Sequence, residues 1–310
     1  MGLRRKNNAL QFLEDKTSDY SERVALGIKT QLGWNEFTYS GLGMLSRKLG
    51  HYLINDLEIP KGEKLAILSE SMPEYGACVF GSVLAGLVTV PLDIKLTEYE
   101  LQSILSDCEP TVLMVSKALV DKAEKLQKMV PSIKTILLMN EPSCNDTYTS
   151  IHMLPEKYNC KWRHRSSKST ALIIYTSGTT GAPKGVEITF KNMFAQLSGV
   201  EKALDVILGD KQISVLSILP MNHLFEMTVG FSIFLSLGFS IVYAKSLKPK
   251  DILGIMREKR VEFMIVVPAF LKLLKTGIET ELSAAPKIVQ VVFNLILTLL
   301  DLYLSMELKK

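Results

Sequence analysis

The chain has 310 residues, of which 47% are hydrophobic and 22% are charged, and its formal net charge is +4. This length is enough for two units that each bury a core, and the small, scattered positive charge gives no case for a nucleic-acid partner. The basic run at residues 3–6 precedes no apolar segment, so a secretory signal is not expected, and Lys6 stands where a myristoylation motif requires Ser or Thr.

The number and spacing of the cysteines indicate the redox state of the cellular compartment in which the protein is expected. The four cysteines are Cys78, Cys108, Cys144 and Cys160. They form no C-x-x-C pair, which fits free thiols in a reducing cytoplasm, so a cytoplasmic location is expected. Cys160, His164 and His152 lie near one another in the sequence, but their spacing matches no common metal site, and no metal ligand is predicted from them.

The first half of the chain alternates short apolar runs with helical patterns. Strands are predicted at residues 65–69, 88–91, 111–115 and 135–139, and helices at residues 73–85, 98–106 and 118–129. Strands alternating with helices predict an α/β fold with layered, mostly parallel sheets and right-handed crossovers. Residues 1–150 are therefore predicted to form a first α/β subdomain, and the polar residues 151–169 a linker.

The second half repeats the alternation and is predicted to form a second α/β subdomain over residues 170–275. Its strands are predicted at residues 171–175, 212–217, 240–243 and 263–267, and its helices at residues 190–204, 224–235 and 249–257. Ligand sites in such sheets lie beyond the carboxyl ends of strands. Residues 175–186 and 220–223 both follow predicted strands, so they are expected to line one crevice.

The segment YTSGTTGAPKGV, residues 175–186, is predicted to bind a polyphosphate. Its glycines allow close approach of backbone N–H groups, its hydroxyls donate hydrogen bonds and its lysine adds a positive charge. The residues predicted to bind phosphate are Thr176, Ser177, Gly178, Thr179, Thr180, Gly181 and Lys184. Pro183 and Gly185 flank Lys184, which excludes the P-loop pattern of kinases and GTPases. The alternative is a flexible Gly/Ser/Thr loop leading to an edge hairpin.

Four segments together carry a family resemblance. YTSGTTGAPKGV resembles the phosphate-binding signature of the adenylate-forming (AMP-binding) superfamily, and LPMNHLFE, residues 219–226, resembles its L-P-x-x-H-x-[FY] segment. The Phe-Glu ending of the second segment is similar to that of members acting on medium and long fatty acids, the acyl-CoA synthetases. VEFMIVVPAFLKLL and the opening GEKLAILSESMPEYGACVFGSVLAGLVTVPLD also resemble elements of this family. The resemblance extends over residues 37–274.

The resemblance implies an acid–thiol ligase that uses ATP and Mg²⁺. A fatty acid, expected to be long-chain, is converted through an acyl-adenylate to a thioester of coenzyme A or of an acyl carrier protein. His223 and Phe225 are then expected in the acyl pocket, with His223 as a gate. The alternative for His223 is a helix-start histidine satisfied by the backbone. Glu226 is expected to be a capping carboxylate at the helix start. The alternative for Glu226 is contact with the nucleotide side of the site.

Later signatures of the family are not found in the 310 residues. They include the segment that holds adenine and Mg²⁺, the aspartate that grips ribose and the lid with its catalytic lysine. The chain is therefore interpreted as a front half, and no catalytic residue or metal ligand is assigned. Two hypotheses stay open: a ligase that is weakly active or inactive alone and completed by a second polypeptide, or a non-catalytic nucleotide-binding, acyl-binding or scaffold remnant.

Residues 276–310 are predicted to form an apolar helical tail. Gln290, Asn294 and Asp301 interrupt the apolar run at residues 288–305. A charged residue inside a membrane span is costly, so an amphipathic helix is favoured over a transmembrane one. Such a helix is expected to contact a membrane surface peripherally or to attract a partner.

Overall fold

The structure is a computed structural model that describes residues 9–141, 147–156, 160–177, 183–208 and 211–307. The chain divides into two compact units. The first contains the described residues up to Lys245 together with Ile255–Ile265. The second contains Ser246–Gly254 and the described residues from Val266 onward.

Strands and helices alternate along most of the chain, as is typical of an α/β protein. The strands are β1 (Val24–Thr30), β2 (Gly33–Thr38), β3 (Lys64–Leu68), β4 (Val88–Pro91), β5 (Val112–Val115), β6 (Thr135–Leu138), β7 (Thr149–Ser150), β8 (Thr170–Ser177), β9 (Pro183–Thr189), β10 (Ser214–Ser217), β11 (Ser240–Tyr243) and β12 (Phe263–Met264). The α-helices are α1 (Ala9–Asp19), α2 (Tyr39–His51), α3 (Pro73–Ala85), α4 (Glu98–Cys108), α5 (Val120–Met129), α6 (Phe190–Leu208), α7 (Phe234–Ser236), α8 (Pro249–Glu258), α9 (Pro268–Ala284) and α10 (Lys287–Glu307). Two π-helices, π1 (Tyr52–Asp56) and π2 (Glu226–Ile233), and short 3₁₀ turns at Lys117–Leu119 and Ile151–Met153 complete the described elements.

The described strands form two sheets, both in the first unit. Sheet I has seven strands in the order β7-β6-β5-β3-β4-β8-β9, and only the β8–β9 pair is antiparallel. Sheet II has five strands in the order β12-β10-β11-β1-β2, and only the β1–β2 pair is antiparallel. The predicted class, α/β with layered and mostly parallel sheets, is confirmed.

The central strands β3, β4, β5 and β6 of sheet I are buried, which explains why they are largely apolar. Leu65 and Ile67 of β3 belong to a core that also includes side chains of α2, α3 and sheet II. Ala66 and Leu68 belong to a second core, which α4 and α5 complete. Because side chains alternate across a strand, one apolar run serves both cores.

Several predicted elements are confirmed to the residue, namely Pro73–Ala85, Val88–Pro91 and Ser240–Tyr243. Helix α3 ends there because Gly86 has φ +69°, and a Cβ at this position would lie 2.8 Å from Cβ of Arg163. The strand predicted at residues 263–267 is shorter, since Pro268 starts α9. Elements α1, β1, β2 and α2 lie before the first predicted strand and were not predicted.

Strands from both sides of residues 151–169 share each sheet. β8 and β9 extend sheet I beside β4, while β1 and β2 join sheet II beside β11. The intervening segment packs back on the end of α3: the Arg163 N–H donates to the Leu84 carbonyl at 3.1 Å, and Nη1 of Arg165 donates to the Gly86 carbonyl at 2.9 Å. The residues predicted as a linker are thus fastened to the C-terminal end of α3.

The second unit includes α9 and α10. The Gln290 amide of α10 donates to the Ala285 carbonyl at 2.8 Å, across the turn between the two helices. Large apolar side chains of α10 are exposed, namely Ile288, Val289, Val291, Val292, Leu295, Ile296 and Leu297. Within the described part of the chain, no helix is long and apolar enough to cross a membrane.

Candidate active site

A cleft of about 610 Å³ opens at the carboxyl edge of sheet I. Parallel pairing of β4 with β8 brings the ends of these strands to the same edge. The described residues that line the cleft are Asp93, Leu96, Tyr99, Glu100, Ser103, Ile104, Ile174, Tyr175, Thr176, Pro183, Asn222, His223 and Leu224. They come from the β4–α4 connection, from α4, from the β8–β9 hairpin and from the loop after β10. The cleft therefore joins the two segments that were expected to share a crevice.

The β8–β9 hairpin forms one wall. Thr176 lies opposite Lys184, and Ser177 lies opposite Pro183, in the antiparallel register. Thr176 lines the cleft, and Lys184 is exposed. A Cβ at position 185 would approach both Ile173 and Tyr175 to 3.0 Å, so glycine is the residue that fits beside Lys184.

Only part of the predicted phosphate site falls within the described residues. Gly178, Thr179, Thr180 and Gly181 lie outside the described residues. Ser177 is located by its backbone as the last residue of β8. Their roles stay predictions, and the described strands on either side fix only where the loop starts and ends.

Tyr175 fixes the hairpin wall to α4. Its hydroxyl donates a hydrogen bond to the Asp107 carboxylate. Burial and this bond raise the pKa of Tyr175 well above its usual value. The phenol is therefore neutral at physiological pH and serves as a structural donor between β8 and α4.

The start of α4 forms an acidic wall. Thr97 and Glu100 make a capping box, in which the Thr97 N–H donates to Glu100 Oε2 at 2.8 Å and the Glu100 N–H donates to Thr97 Oγ1 at 3.3 Å. The hydrogen bonds that the Thr97 N–H and the Thr97 hydroxyl donate to Glu100 Oε2 lower the pKa of the exposed Glu100. Asp93 Oδ1 accepts the Lys95 N–H at 2.9 Å. Negative charge at this wall repels phosphate, so the side of the cleft near Lys184 is the more favourable place for it.

His223 lies in the loop between β10 and π2, at the edge of the cleft. Its N–H donates to the Pro220 carbonyl at 3.1 Å, and its own carbonyl accepts the Met227 N–H at 3.0 Å. The Met221 N–H donates to Ser71 Oγ at 3.1 Å, which attaches this loop to the segment before α3. The backbone of His223 is satisfied while its side chain stays exposed, so its gate role stays a prediction. Phe225 is 51% exposed and is not among the described residues lining the cleft.

Glu226 is not the capping carboxylate that was expected. It is 1% exposed, and its Oε1 accepts a hydrogen bond from Ser217 Oγ at 2.6 Å. Burial raises the pKa of Glu226 to about 7, against which the bond from Ser217 acts. The helix that follows is π2 where an α-helix was predicted, and π-helices often occur at functional sites.

Sequence reasoning missed several cleft residues. Asp93, Tyr99 and Ser103 line the cleft but were not singled out. Asp93 could have been found, because it follows the correctly predicted strand β4 and ligand sites lie beyond strand ends. The contribution of α4 depends on β4 lying beside β8, and strand order is not readable from local patterns.

The side chains at the cleft are chemically compatible with a phosphorylated ligand. Among the described residues, no three His, Cys, Asp or Glu side chains cluster so as to hold a metal ion. Mg²⁺ commonly keeps one or two protein carboxylates, several waters and substrate phosphate oxygens. Lys184 and Thr176 supply a cation and a hydroxyl donor at the mouth of the phosphate loop, which is compatible with such a ligand.

Comparison with known proteins identifies the family to which the chain belongs. The family model described as AMP-binding enzyme matches residues 13–294, and it includes both walls of the cleft. The chain belongs to this family. The predicted family resemblance is confirmed.

The curated relatives carry the names of enzymes with different substrates. A long-chain-fatty-acid–CoA ligase of Homo sapiens is 27% identical over 66% of this chain and 30% of its own length. A luciferin 4-monooxygenase of Nipponoluciola cruciata is 27% identical over 82% of this chain and 48% of its own. A long-chain-fatty-acid–CoA ligase of Salmonella typhimurium is 24% identical over 82% and 49%. The chain thus spans less than half the length of these curated relatives.

Solved structures of AMP-binding enzymes share the fold. A putative long-chain-fatty-acid CoA ligase from Rhodopseudomonas palustris superposes with a TM-score of 0.75 at 18% identity, covering 87% of this chain and 65% of that one. The o-succinylbenzoate coenzyme A synthetase of Bacillus subtilis in complex with ATP and magnesium ion gives a TM-score of 0.65 at 23% identity, covering 84% and 64%.

Proposed function

We propose that this chain provides the phosphate-binding and acyl-binding face of a ligase that activates a fatty acid, long-chain rather than short, as an acyl-adenylate and then an acyl thioester. The observation that carries the proposal is the single cleft shared by the β8–β9 hairpin and the His223 loop. In support of the proposal, Thr176 of the predicted phosphate site and His223, the predicted acyl gate, line the same cleft. Joining a carboxylate to the α-phosphorus requires both substrates in one site.

Each wall has a task in this reaction. ATP with Mg²⁺ supplies the electrophilic phosphorus and the pyrophosphate leaving group. Lys184 and Thr176 stabilise negative charge on the phosphates, and they act without reorganising because β8 and β9 hold their backbones in register. The bond from Tyr175 to Asp107 keeps this wall fixed against α4. The thiol acceptor, coenzyme A or an acyl carrier protein, is part of the same proposal.

An apolar groove supports a fatty acid as the substrate. Side chains of α3, β8 and α6 line it, and Ser232 of π2 is the polar exception. Its cavity of about 50 Å³ exceeds what one water needs but is far below the roughly 300 Å³ at which ligand pockets begin. A long acyl chain must therefore displace side chains. Met193 is suited to move because methionine is unbranched and adaptable.

Removing the Lys184 charge tests the phosphate cradle. Lys184→Ala is expected to weaken binding of MgATP by about 10-fold or more, since charge-assisted hydrogen bonds contribute roughly 1.5–3 kcal/mol. Isothermal titration calorimetry measures this without requiring turnover. Lys191→Ala is the matched control, because Lys191 is an exposed lysine just beyond the opposite end of β9. Equal affinity in Lys184→Ala and the wild type would contradict the proposal.

Chain-length preference tests the acyl part separately. With MgATP present, palmitate is expected to raise the unfolding temperature more than octanoate or acetate does. Met193→Trp fills the groove and is expected to abolish the palmitate shift while leaving the MgATP shift intact. A larger shift with acetate than with palmitate would reject the long-chain assignment and leave the nucleotide assignment standing.

Four further expectations belong to this proposal and stay predictions. The 310 residues alone are expected to show weak or no ligase turnover, and a second polypeptide is the expected source of any missing contacts. A chain that binds MgATP but no acid would favour the alternative of a non-catalytic nucleotide-binding protein. Cytoplasmic location and peripheral membrane contact are also predictions.

A further inference from the structure

A buried carboxylate fastens the loop that carries His223. Ser217 ends β10 and Glu226 starts π2, so the hydrogen bond of 2.6 Å between their side chains closes the loop of residues 218–225 at its base. Both side chains are buried, Ser217 at 5% and Glu226 at 1% exposure. Residues 222–224 of the same loop line the cleft.

The position of this carboxylate depends on Gly230. A Cβ built on Gly230 would lie 2.4 Å from Cδ and from Oε2 of Glu226. The carboxyl group of Glu226 therefore lies beside Gly230 on π2, in space that any side chain at position 230 would fill. The close fit makes the pair a built feature of the loop base rather than a chance contact.

We propose that the Glu226–Ser217 pair is a proton-dependent clamp at the base of the His223 loop. The clamp stays closed while Glu226 is neutral, and it opens when Glu226 ionises because burying the charge costs more free energy than the hydrogen bond from Ser217 returns. Both are positioning residues, because they act on the cleft through the loop. The importance of the clamp for acyl entry rests on the proposed function, whereas the clamp itself does not.

The surroundings of Glu226 oppose its ionisation. Tyr243 on β11 is the titratable group that interacts with it, and Tyr243 in turn interacts with Tyr75 and Glu74 on α3. Helix α7 has no ionisable side chain, and Lys191 of α6 is exposed. None of the buried groups named here is a cation. An ionised Glu226 is therefore more stable in contact with water than at its buried position.

The direction of the pH effect follows from the raised pKa. The closed loop holds a proton on Glu226 up to about pH 7, whereas a hydrated glutamate loses it near its ordinary pKa of about 4.3. Closure is therefore favoured in acid, and this contribution is lost as pH rises through about 7. Above that pH the opening equilibrium is expected to level off.

Hydrogen exchange of residues 218–225 tests the clamp without any ligand. After correction for intrinsic exchange rates, opening of this segment in the wild-type chain is expected to increase on the order of 50-fold between pH 5 and pH 7.5. Glu226→Gln keeps an acceptor for Ser217 but cannot ionise, so its profile is expected to be flat. Ser217→Ala is expected to exchange faster while keeping a pH dependence.

Two further variants sharpen the result. Glu262→Gln removes an exposed carboxylate that pairs with Lys211 at the surface, and it is expected to exchange like the wild type in residues 218–225. Gly230→Ala is expected to exchange like the open state at pH 5. A wild-type profile without a step, or a step that persists in Glu226→Gln, would overturn the clamp. Neither result depends on whether the chain binds ATP or a fatty acid.

Discussion

At the scale of single residues, Tyr39 offers a clean test of core hydrogen bonding. It is 1% exposed, and its hydroxyl lies 2.8 Å from the Phe239 carbonyl and 3.1 Å from the Leu235 carbonyl. Tyr39→Phe removes the donor and leaves the carbonyls without it, so unfolding is expected to become easier by about 1–2 kcal/mol. Chemical denaturation measures the change. Tyr99→Phe, at an 80% exposed side chain, is the control and should change stability by less than about 0.5 kcal/mol.

Local residue chemistry yields predictions directly from the sequence, and phosphate binding by residues 175–186 stays one of them. The sequence around Thr176 and Lys184 indicates phosphate binding because glycines, hydroxyls and a cation occur together in one loop. Glu226 was misjudged, since its burial depends on Ser217 in another element and on the open space at Gly230. A carboxylate at a helix start looks the same in sequence whether it caps the helix or is buried.

At the scale of elements, the start of α4 can be tested through its cap. Thr97→Ala removes the side chain that accepts the Glu100 N–H, and it is expected to destabilise the protein by about 1 kcal/mol. Thr97→Ser keeps an accepting hydroxyl and should retain most of the stability. Thermal unfolding compares the three proteins. Equal loss in Thr97→Ser and Thr97→Ala would mean that packing of the threonine methyl group matters more than the cap.

The type of an element could be predicted wherever the spacing of apolar residues agreed with residues that start or end helices and strands. The α3–β4 unit was found because Pro73 starts the helix and Gly86 ends it before an apolar run. Helix π2 was taken for an α-helix because residues 226–235 are apolar on every side, so their pattern has no period to read. The β1–β2 hairpin was missed, although Gly33 at its turn, with φ +117°, was a signal that could have found it.

At the scale of the whole molecule, sheet composition was beyond local reasoning. Alternating strands and helices predicted two α/β subdomains in chain order. The structure instead builds sheet II from the start of the chain and from residues beyond 213. Parallel pairing of β1 with β11 joins residues that are more than 200 positions apart, and no periodicity within one segment encodes such a partner.

The exposed apolar side chains of α10 predict how the whole chain behaves in solution. Val291 and Leu295 are 66% and 58% exposed, and a contiguous apolar surface of this kind binds hydrophobic dyes and promotes association. The double variant Val291→Glu and Leu295→Glu is expected to lower dye fluorescence several-fold and to reduce light scattering. Thr298→Glu adds charge at an exposed polar position of the same helix and should change neither. Trp34 and Trp162 both lie in the first unit, so tryptophan fluorescence should report unchanged unfolding in every variant. Undiminished dye binding in the double variant would place the accessible apolar surface elsewhere on the molecule.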